Sequence, residues 1–349
     1  MQKQASRFFL GANSKSGFIS LYDSFTDPTA GDFLWVLKGG PGCGKSTFMK
    51  RIGAAAEDAG DDVEYIHCSG DPDSLDAVYL PEKRVAYVDG TAPHVVEAVY
   101  PGAASLYLDL GAFFDAGALA PHLPEITELN RRYKALYGEA YSLLSAGAAL
   151  LPKNMPNLHG TDELEKIDKK VAGIVARELR KQSKAAKQHK RFLSAWSCKG
   201  HITFADTLPG HVFLLDNELG LGHVFLARLA LRTAALGYDS ILCPDPLEPE
   251  KPEALILPEC ELSFLAAAPR TKAVPSPYRH LRLDALPEVS DGAALRRRRR
   301  ESDTMLHAAV QSLAQAKALH DELETIYRPH VDFSSVSQLT EDHISWLYG

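Results

Sequence analysis

The sequence predicts an α/β protein made of two tandem domains with parallel sheets, each followed by a helical hairpin or arm. Three observations predict this fold class: a glycine-rich phosphate-binding motif, a degenerate copy of its surroundings in the second half, and long segments with apolar residues every three or four positions. The predicted domains are residues 1–118 and 191–275, and the predicted arms are residues 119–190 and 276–349.

The glycine-rich motif runs from Gly39 to Thr47 and matches G-x-x-x-x-G-K-[ST] at every fixed position. The apolar segment 33–37 precedes it, and the segment 48–56 has the composition of a helix. A strand, this loop and a helix in that order form the phosphate-binding unit of P-loop NTPases. We therefore predict that both domains are of the P-loop NTPase type.

Each position of the motif has a physical role in phosphate binding. Glycines let the backbone turn its N–H groups toward an anion, and the N-terminus of the following helix favours negative charge. We expect Lys45 to reach the β- and γ-phosphates, the Ser46 hydroxyl to bind Mg²⁺, and Thr47 to offer a hydroxyl near the α-phosphate. The predicted nucleotide-binding residues are Gly39, Gly40, Pro41, Gly42, Cys43, Gly44, Lys45, Ser46 and Thr47.

A phosphate loop needs an acidic partner for the metal ion, and Asp89 is the best candidate because it ends the apolar segment 85–89. We predict that Asp89 binds Mg²⁺ and acts with Lys45 in catalysis, although an ordinary strand-end turn with Gly90 is the alternative. Many ATPases place a glutamate after this aspartate to activate water, and here that residue is Gly90. Slow hydrolysis and kinase-like transfer both remain open. No N-K-x-D guanine-binding motif is present, so ATP is the expected nucleotide.

The composition limits the class of protein. A chain of 349 residues is long enough for two domains with separate cores. The net charge of −7 argues against a protein that binds nucleic acid or membrane surfaces, because both attract basic proteins. Five cysteines without a C-x-x-C pair indicate reduced thiols, and no apolar run approaches the ~20 residues that span a bilayer. We therefore expect a cytoplasmic protein.

The second half repeats landmarks of the first at a nearly constant spacing. The segment 191–195 resembles 7–12, and a loop at 217–225 takes the place of the phosphate loop. Such self-similarity predicts a duplicated domain. In the second loop His223 replaces the lysine, Val224 replaces the metal-binding hydroxyl, and Glu218 would repel a phosphate. The second domain is therefore predicted not to bind a nucleotide.

Two long amphipathic segments, which include 126–143 and 306–326, predict helices with an apolar seam. The segment 151–157 breaks the first arm, and a second helix is predicted from about 161 to 190. The arms offer a surface for an unknown protein partner. Arg296–Arg300 is either a solvated helix start or a phosphate or nucleic-acid contact, including an arginine that reaches the nucleotide of the other half.

The segment 65–76 follows a predicted strand at the edge of the sheet where ligands bind. His67 or Asp71 could orient a water or a substrate hydroxyl there, while a simple turn is the alternative. The same two interpretations apply to Thr91–His94. Cys68 is interpreted as a buried structural thiol.

The segments H-C-S-x-D-P-D-S-L-D at 67–76 and D-G-T-A-P-H at 89–94, together with the loop and its degenerate copy, resemble a bacterial family of tandem P-loop ATPase-like proteins. The resemblance covers almost the full chain and implies ATP binding, but it implies no substrate. The expected function is a slow or partner-stimulated ATPase with a nucleotide-incompetent second domain. A small-molecule or nucleotide kinase and a non-catalytic ATP-binding scaffold are the alternatives.

Overall fold

The computed structural model describes residues 5–92, 95–155, 158–267, 276–287 and 291–349, which form an α/β protein with two six-stranded mixed sheets. The first half contains β1 (Ser6–Phe9), β2 (Gly11–Ser14), β3 (Gly17–Ser20), β4 (Phe33–Lys38), α1 (Lys45–Ala59), β5 (Glu64–His67), β6 (Leu75–Leu80), β7 (Val85–Asp89), β8 (Ser105–Asp109), α2 (Ala116–Leu119), α3 (Leu123–Leu150) and α4 (Thr161–Glu178). The second half contains β9 (Gln188–Lys190), β10 (Ser194–Ser197), β11 (Gly200–Thr203), β12 (His211–Asp216), α5 (Leu221–Ala235), β13 (Ser240–Pro244), β14 (Pro252–Leu257), β15 (Leu262–Ala267), β16 (Arg279–Leu281), α6 (Gly292–Tyr327) and α7 (Phe333–Tyr348).

The two sheets have the same strand order. The first is β1-β5-β6-β7-β4-β8 and the second is β9-β13-β14-β15-β12-β16, and a separate two-stranded hairpin, β2-β3 or β10-β11, accompanies each. In each sheet the third strand from the start, β6 or β14, is antiparallel to both of its neighbours, and the remaining pairs are parallel. The prediction of parallel sheets was therefore wrong in this respect.

The antiparallel strand has a local cause in the first sheet. Only the four residues Pro81–Arg84 separate β6 from β7, and a parallel crossover needs a dozen or more. Because β6 runs the other way, its first residue lies at the same edge as the carboxyl ends of β5, β7 and β4. That edge is where the glycine-rich loop lies.

The long helices α3 and α6 pack against each other in antiparallel directions. Ile126 and Leu129 contact Leu319 and Leu323 at one end. At the other end Ser302 Oγ donates to the Gly147 carbonyl at 2.9 Å. The predicted apolar seams are thus buried against each other.

The helices that follow α3 and α6 in the chain cover the opposite halves. Ile167 and Val171 of α4 pack in the core between α5 and the second sheet. Val336 and Leu347 of α7 pack with α1 on the first sheet. The sequence left a hairpin or an arm open for this segment. The apolar face of α4 packs on α5, so α4 and α3 are not the two helices of a hairpin. The predicted helix to about 190 ends at Glu178.

The two sheets face each other across a shared core that includes Phe8, Leu10 and Val36 from the first half and Leu193 and Leu214 from the second. In a separate small cluster with Ala12 and Ala195, the backbone N–H groups of Phe9 and Phe192 each donate to the other residue's carbonyl at 2.8 Å.

The predicted domain boundaries remain a prediction. The arm predicted at 276–349 contains β16, which pairs with β12, and also α7 of the first core. The predicted break at 151–157 contains a 3-10 turn at Pro152–Asn154, while residues 156–157 lie outside the described part of the chain. Among the described helices, none is long and apolar enough to cross a membrane.

Candidate functional site

The glycine-rich loop connects β4 with α1 at the carboxyl edge of the first sheet. Gly42 and Gly44 have φ angles of 68° and 96°, in the left-handed region where a side chain is strained. Gly44 directly precedes the first turn of α1. The helix N-terminus therefore points its unpaired N–H groups into the space that the loop surrounds.

The ammonium of Lys45 lies inside this loop. Its Nζ donates to the carbonyl oxygens of Gly39 and Gly40, both at 3.0 Å, and lies 3.6 Å from Oδ2 of Asp89. These are weak partners for a cation that is mostly shielded from solvent. A phosphate group is a stronger partner and would displace the carbonyls.

Asp89 reaches the loop because β7 is parallel to β4 and pairs Asp89 with Leu37. Its Oδ1 accepts hydrogen bonds from the backbone N–H and the hydroxyl of Thr91, at 2.9 and 2.5 Å. This turn orients Oδ2 toward Lys45. The structure brings Lys45 and Asp89 together, as the sequence suggested, while the metal-binding role of Asp89 stays a prediction. Pro93 and His94 of the segment after Asp89 lie outside the described residues.

Among the other predicted loop residues, some are accessible to a ligand, and the Cys43 side chain is buried. The Ser46 hydroxyl accepts a hydrogen bond of 2.9 Å from the backbone N–H of Leu75, the first residue of β6, and keeps a lone pair for another ligand. Pro41 is half-buried in the loop and Thr47 is exposed on the first turn of α1. Cys43 is buried in the core, and burial raises the pKa of its thiol. The Cys43 side chain therefore contributes to packing, while the part of Cys43 in nucleotide binding stays a prediction.

The described residues contain no group of three or more histidine, cysteine or acidic side chains that could hold a metal ion alone. Mg²⁺ commonly uses only one or two protein ligands and completes its coordination with phosphate and water. The Ser46 hydroxyl and the Asp89 carboxylate are oxygen ligands of the kind that Mg²⁺ prefers. The residues therefore fit a magnesium ion that arrives with a nucleotide.

A cavity of about 550 Å³ opens beside the loop. Lys45, Ser46 and Asp89 line one side, and Asp71 and Asp76 line another. A further wall comes from the long helices and the 3-10 turn after α6, which contribute Asn130, Tyr133, Tyr137, His320, Glu324 and Arg328. The sequence interpretation assigned these helices to separate arms and so missed their residues. One available signal was the four-residue spacing of Tyr133, Tyr137 and Tyr141 on α3, whose tilted rings have centroids 4.9 and 5.9 Å apart.

The segment 67–76 separates into cavity and core residues. His67 is not among the cavity residues: its Nδ1 donates to the Pro72 carbonyl at 2.8 Å, its ring packs on Phe204, and burial lowers its pKa. Asp71 does line the cavity, where it accepts from the Ser74 hydroxyl at 3.1 Å. Of the two chemical candidates, only Asp71 is positioned to meet a ligand.

The carboxylates of the cavity already have partners. Lys317 Nζ lies 3.4 Å from Asp71 Oδ2, and the Tyr22 hydroxyl donates to Asp76 Oδ2 at 2.8 Å. Cys68 is half-buried and lines the same cavity, and desolvation followed by the charge of Asp76 raises the pKa of its thiol well above the usual range. A high pKa makes Cys68 a poor nucleophile, in agreement with a structural role.

The second loop connects β12 with α5 at the equivalent edge of the second sheet. The structure corrects the position of His223. Its Nδ1 donates to the carbonyl of Pro252, the first residue of β14, at 2.7 Å, just as Ser46 contacts the first residue of β6. His223 therefore resembles Ser46 in this contact. Each helix begins directly after a glycine in the left-handed region, so Leu221 takes the place of Lys45, and neither His223 nor Val224 lies where the sequence comparison placed it. Ala266 pairs with Leu215 where Asp89 pairs with Leu37.

The interior of the second loop is filled by the chain itself. Lys153, in the 3-10 turn after α3, extends its Nζ to within 2.7 Å of Asp245, 3.0 Å of Glu248 and 2.8 Å of His223 Nε2. Burial, followed by the charge of Lys153, lowers the pKa of His223 to about 4. The imidazole is thus neutral and accepts from the ammonium. The cavity at this loop has only about 130 Å³.

The arginine block at the start of α6 contacts this second loop. Arg299 forms an ion pair with Glu218, and Arg298 donates to the Ala149 carbonyl at 2.6 Å. The first contact lies at the second loop, and the second joins α6 to α3. Neither residue lines the cavity beside the first loop.

The chain matches no model of a known protein family, no curated protein and no solved structure. The resemblance suggested by the segments 67–76 and 89–94 therefore stays a prediction.

Proposed function

We propose that the first half binds Mg-ATP at the glycine-rich loop and hydrolyses it slowly. One observation carries this proposal: the Lys45 ammonium lies 3.0 Å from two loop carbonyls and 3.6 Å from the Asp89 carboxylate, at the wall of a cavity of about 550 Å³. Phosphoryl transfer requires groups that bind phosphate and metal. Here a cation, a strand-end carboxylate and a helix N-terminus surround one open space.

The proposed chemistry assigns a role to each side chain. The loop N–H groups and Lys45 bind the β- and γ-phosphates, while Ser46 and Asp89 hold Mg²⁺, which neutralises charge on those phosphates. A water oxygen forms a bond to the γ-phosphorus, and the bond from that phosphorus to the bridging oxygen breaks. ADP keeps the electron pair, and the proton of water ends on the released phosphate.

Turnover is proposed to be slow because the glutamate that activates water in many ATPases is absent from its usual place after Asp89. Gly90 follows Asp89 in the chain. Among the described cavity residues, Asp71 is paired with Lys317 and Asp76 accepts from Tyr22, so that neither carboxylate is poised to deprotonate water. A partner that rearranges this wall would accelerate the reaction. The packed helices α3 and α6 are the surface that we propose for such a protein partner.

We further propose that the two halves arose by duplication and that the second is a nucleotide-incompetent P-loop-like domain. The equal strand order and the reciprocal pairing of Phe9 with Phe192 support the duplication. The Lys153 ion pairs, which occupy the second loop, support the loss of binding. All five cysteines are free thiols, which supports a cytoplasmic location. The net charge of −7 supports the proposal that the protein binds neither nucleic acid nor membrane surfaces.

The test compares ADP production and equilibrium binding of Mg-ATP in the wild type, in Lys45→Ala and in Lys134→Ala. Lys134 is an exposed lysine on α3 and serves as the matched control. We expect Lys45→Ala to lose turnover and at least ~100-fold in affinity, because the phosphates lose their principal cation. Equal binding by wild type and Lys45→Ala would contradict the proposal.

A small-molecule or nucleotide kinase is the second candidate, and the extent of the cavity favours it. Beyond Lys45 and Asp89 the cavity continues to Asp71, Asn130 and Tyr133. These groups can hydrogen-bond a hydroxylated acceptor next to the γ-phosphate. A screen of metabolites for stimulated ADP release distinguishes the two functions: release that depends on one compound, together with its phosphorylated product, would establish a kinase.

A further inference from the structure

The end of α6 and the 3-10 turn Arg328–His330 lie against the glycine-rich loop, although they belong to the last part of the chain. A Cβ placed on Gly42 would lie 2.8 Å from Cγ of Arg328 and 3.4 Å from Cβ of Glu324. A Cβ on Gly40 would similarly meet Tyr327 at 3.4 Å. The loop and this segment are therefore in direct contact.

Arg328 is exposed at this contact and lines the same cavity as Lys45. Within the described part of the chain its guanidinium has neither a carboxylate nor a hydrogen-bond acceptor as a partner. The nearest acidic neighbour in the turn before it, Glu324, lies 3.6 Å from His320 Nδ1. Arg299 on the same helix is, in contrast, paired with Glu218. Arg328 is thus an unused cation beside the loop.

We infer that Arg328 is a catalytic residue whose guanidinium contacts the γ-phosphoryl oxygens in the transition state. The inference rests on the proposed function, because it assigns a further residue to that site. As the bond between the γ-phosphorus and the bridging oxygen breaks, negative charge redistributes over the oxygens of the γ-group and of ADP. An arginine is always charged and presents several donors in one plane, so it stabilises such charge well.

The equivalent turn of the first half supports this assignment. The turn Pro152–Asn154 follows α3 as Arg328–His330 follows α6. A Cβ on Gly220 of the second loop would lie 3.3 Å from Cβ of Lys153. Each long helix therefore brings a basic residue to the loop of the other half. At the second loop, Lys153 forms ion pairs with Asp245 and Glu248. At the first loop, Arg328 remains available to a ligand.

The test uses the full chain with Arg328→Ala, Arg328→Lys and the control Arg297→Ala. Arg297 lies near the start of α6 with an exposed side chain, and it does not line the cavity beside the first loop. Three quantities are measured: the affinity for a Mg-bound non-hydrolysable ATP analogue, the affinity for Mg-ADP with aluminium fluoride, and the rate of single-turnover ADP formation. The fluoride complex mimics the transition state and requires no turnover.

We expect Arg328→Ala to change the affinity for the analogue by less than about 3-fold. We expect the affinity for the fluoride complex and the rate to fall by about 100-fold or more, in line with other arginines that act on phosphoryl transfer. Arg328→Lys should recover only part of this loss, and Arg297→Ala should match the wild type. The melting temperature should not change, because Arg328 is exposed.

Two results would overturn the inference. The first is an Arg328→Ala variant that equals the wild type both in its affinity for the fluoride complex and in the rate of ADP formation. The second is an Arg328→Ala variant whose affinities for the analogue and for the fluoride complex fall by the same factor. Failure of the proposed function looks different. In that case the wild type and Lys45→Ala would both fail to bind the analogue, which overturns the inference as well.

Discussion

The first and second loops occupy equivalent edges of two sheets with the same strand order, yet their lysines have opposite surroundings. Lys45 contacts two backbone carbonyls at 3.0 Å and a single carboxylate, that of Asp89, at 3.6 Å, at the wall of a cavity of about 550 Å³. Lys153 contacts two carboxylates and a neutral imidazole at a cavity of about 130 Å³. The positive charge of Lys45 is therefore available to a ligand, whereas the charge of Lys153 is neutralised by carboxylates of the chain itself. The same backbone framework can therefore serve either binding or stability.

The largest expected effect concerns stability and comes from Lys153→Met. Removing the ammonium takes the lysine partner from the buried Asp245 carboxylate, which costs about 3–5 kcal/mol for a buried pair, while Glu248 keeps its ion pairs with Lys15 and Lys251. Lys45→Ala is the matched control, and we expect it to change stability by only about 1 kcal/mol. Urea unfolding of both variants measures the difference. Equal losses would contradict the contrast between the two loops.

The second largest effect is a pH dependence of stability in the second half. Burial, followed by the charge of Asp245, raises the pKa of Glu253 from 4.5 to about 8, and its carboxyl lies 2.7 Å from the Ser194 hydroxyl. The folded protein therefore binds a proton that the unfolded chain releases above about pH 4.5. Stability should fall as pH rises through this window, up to about pH 8.

Glu253→Gln removes this titration and keeps a hydrogen-bonding amide. We expect the wild type to lose at least ~2 kcal/mol relative to Glu253→Gln between pH 5 and pH 8. Unfolding curves recorded across this range test the expectation. Parallel stability profiles of the two proteins would show that Glu253 is ionised in the fold.

The smallest effect is expected from Asp89→Asn, which keeps the turn with Thr91 but removes the charge near Lys45. We expect the affinity for Mg-nucleotide to fall by about 10-fold and the affinity for nucleotide without metal to change little. Titrations with and without Mg²⁺ measure both values. A similar loss in both titrations would remove the metal-binding role from Asp89.

Local sequence signals predicted the loop and its immediate neighbours. The strand β4, the loop at 39–44 and the helix α1 follow from a contiguous motif, and Asp89 follows from an apolar strand that ends in an acidic residue. These features depend on residues that are close in the chain. Periodicity also located the long helices and their seams.

The rest depends on contacts that sequence spacing does not encode. The direction of β6 was predictable from the four-residue connection Pro81–Arg84, which is too short for a parallel crossover. The packing of α4 on the second half and of α7 on the first half was not predictable, because an amphipathic face does not identify its partner. For the same reason the sequence left open whether the second half reaches the first loop, where Arg328 now lies.

The stoichiometry of nucleotide binding tests the contrast between the two loops most directly. Equilibrium titration with a Mg-bound non-hydrolysable ATP analogue is predicted to give one site per chain in the wild type and in Glu218→Ala, a variant of the second loop. The same titration is predicted to give no site in Lys45→Ala. Two sites per chain, or one site that survives in Lys45→Ala, would contradict the account.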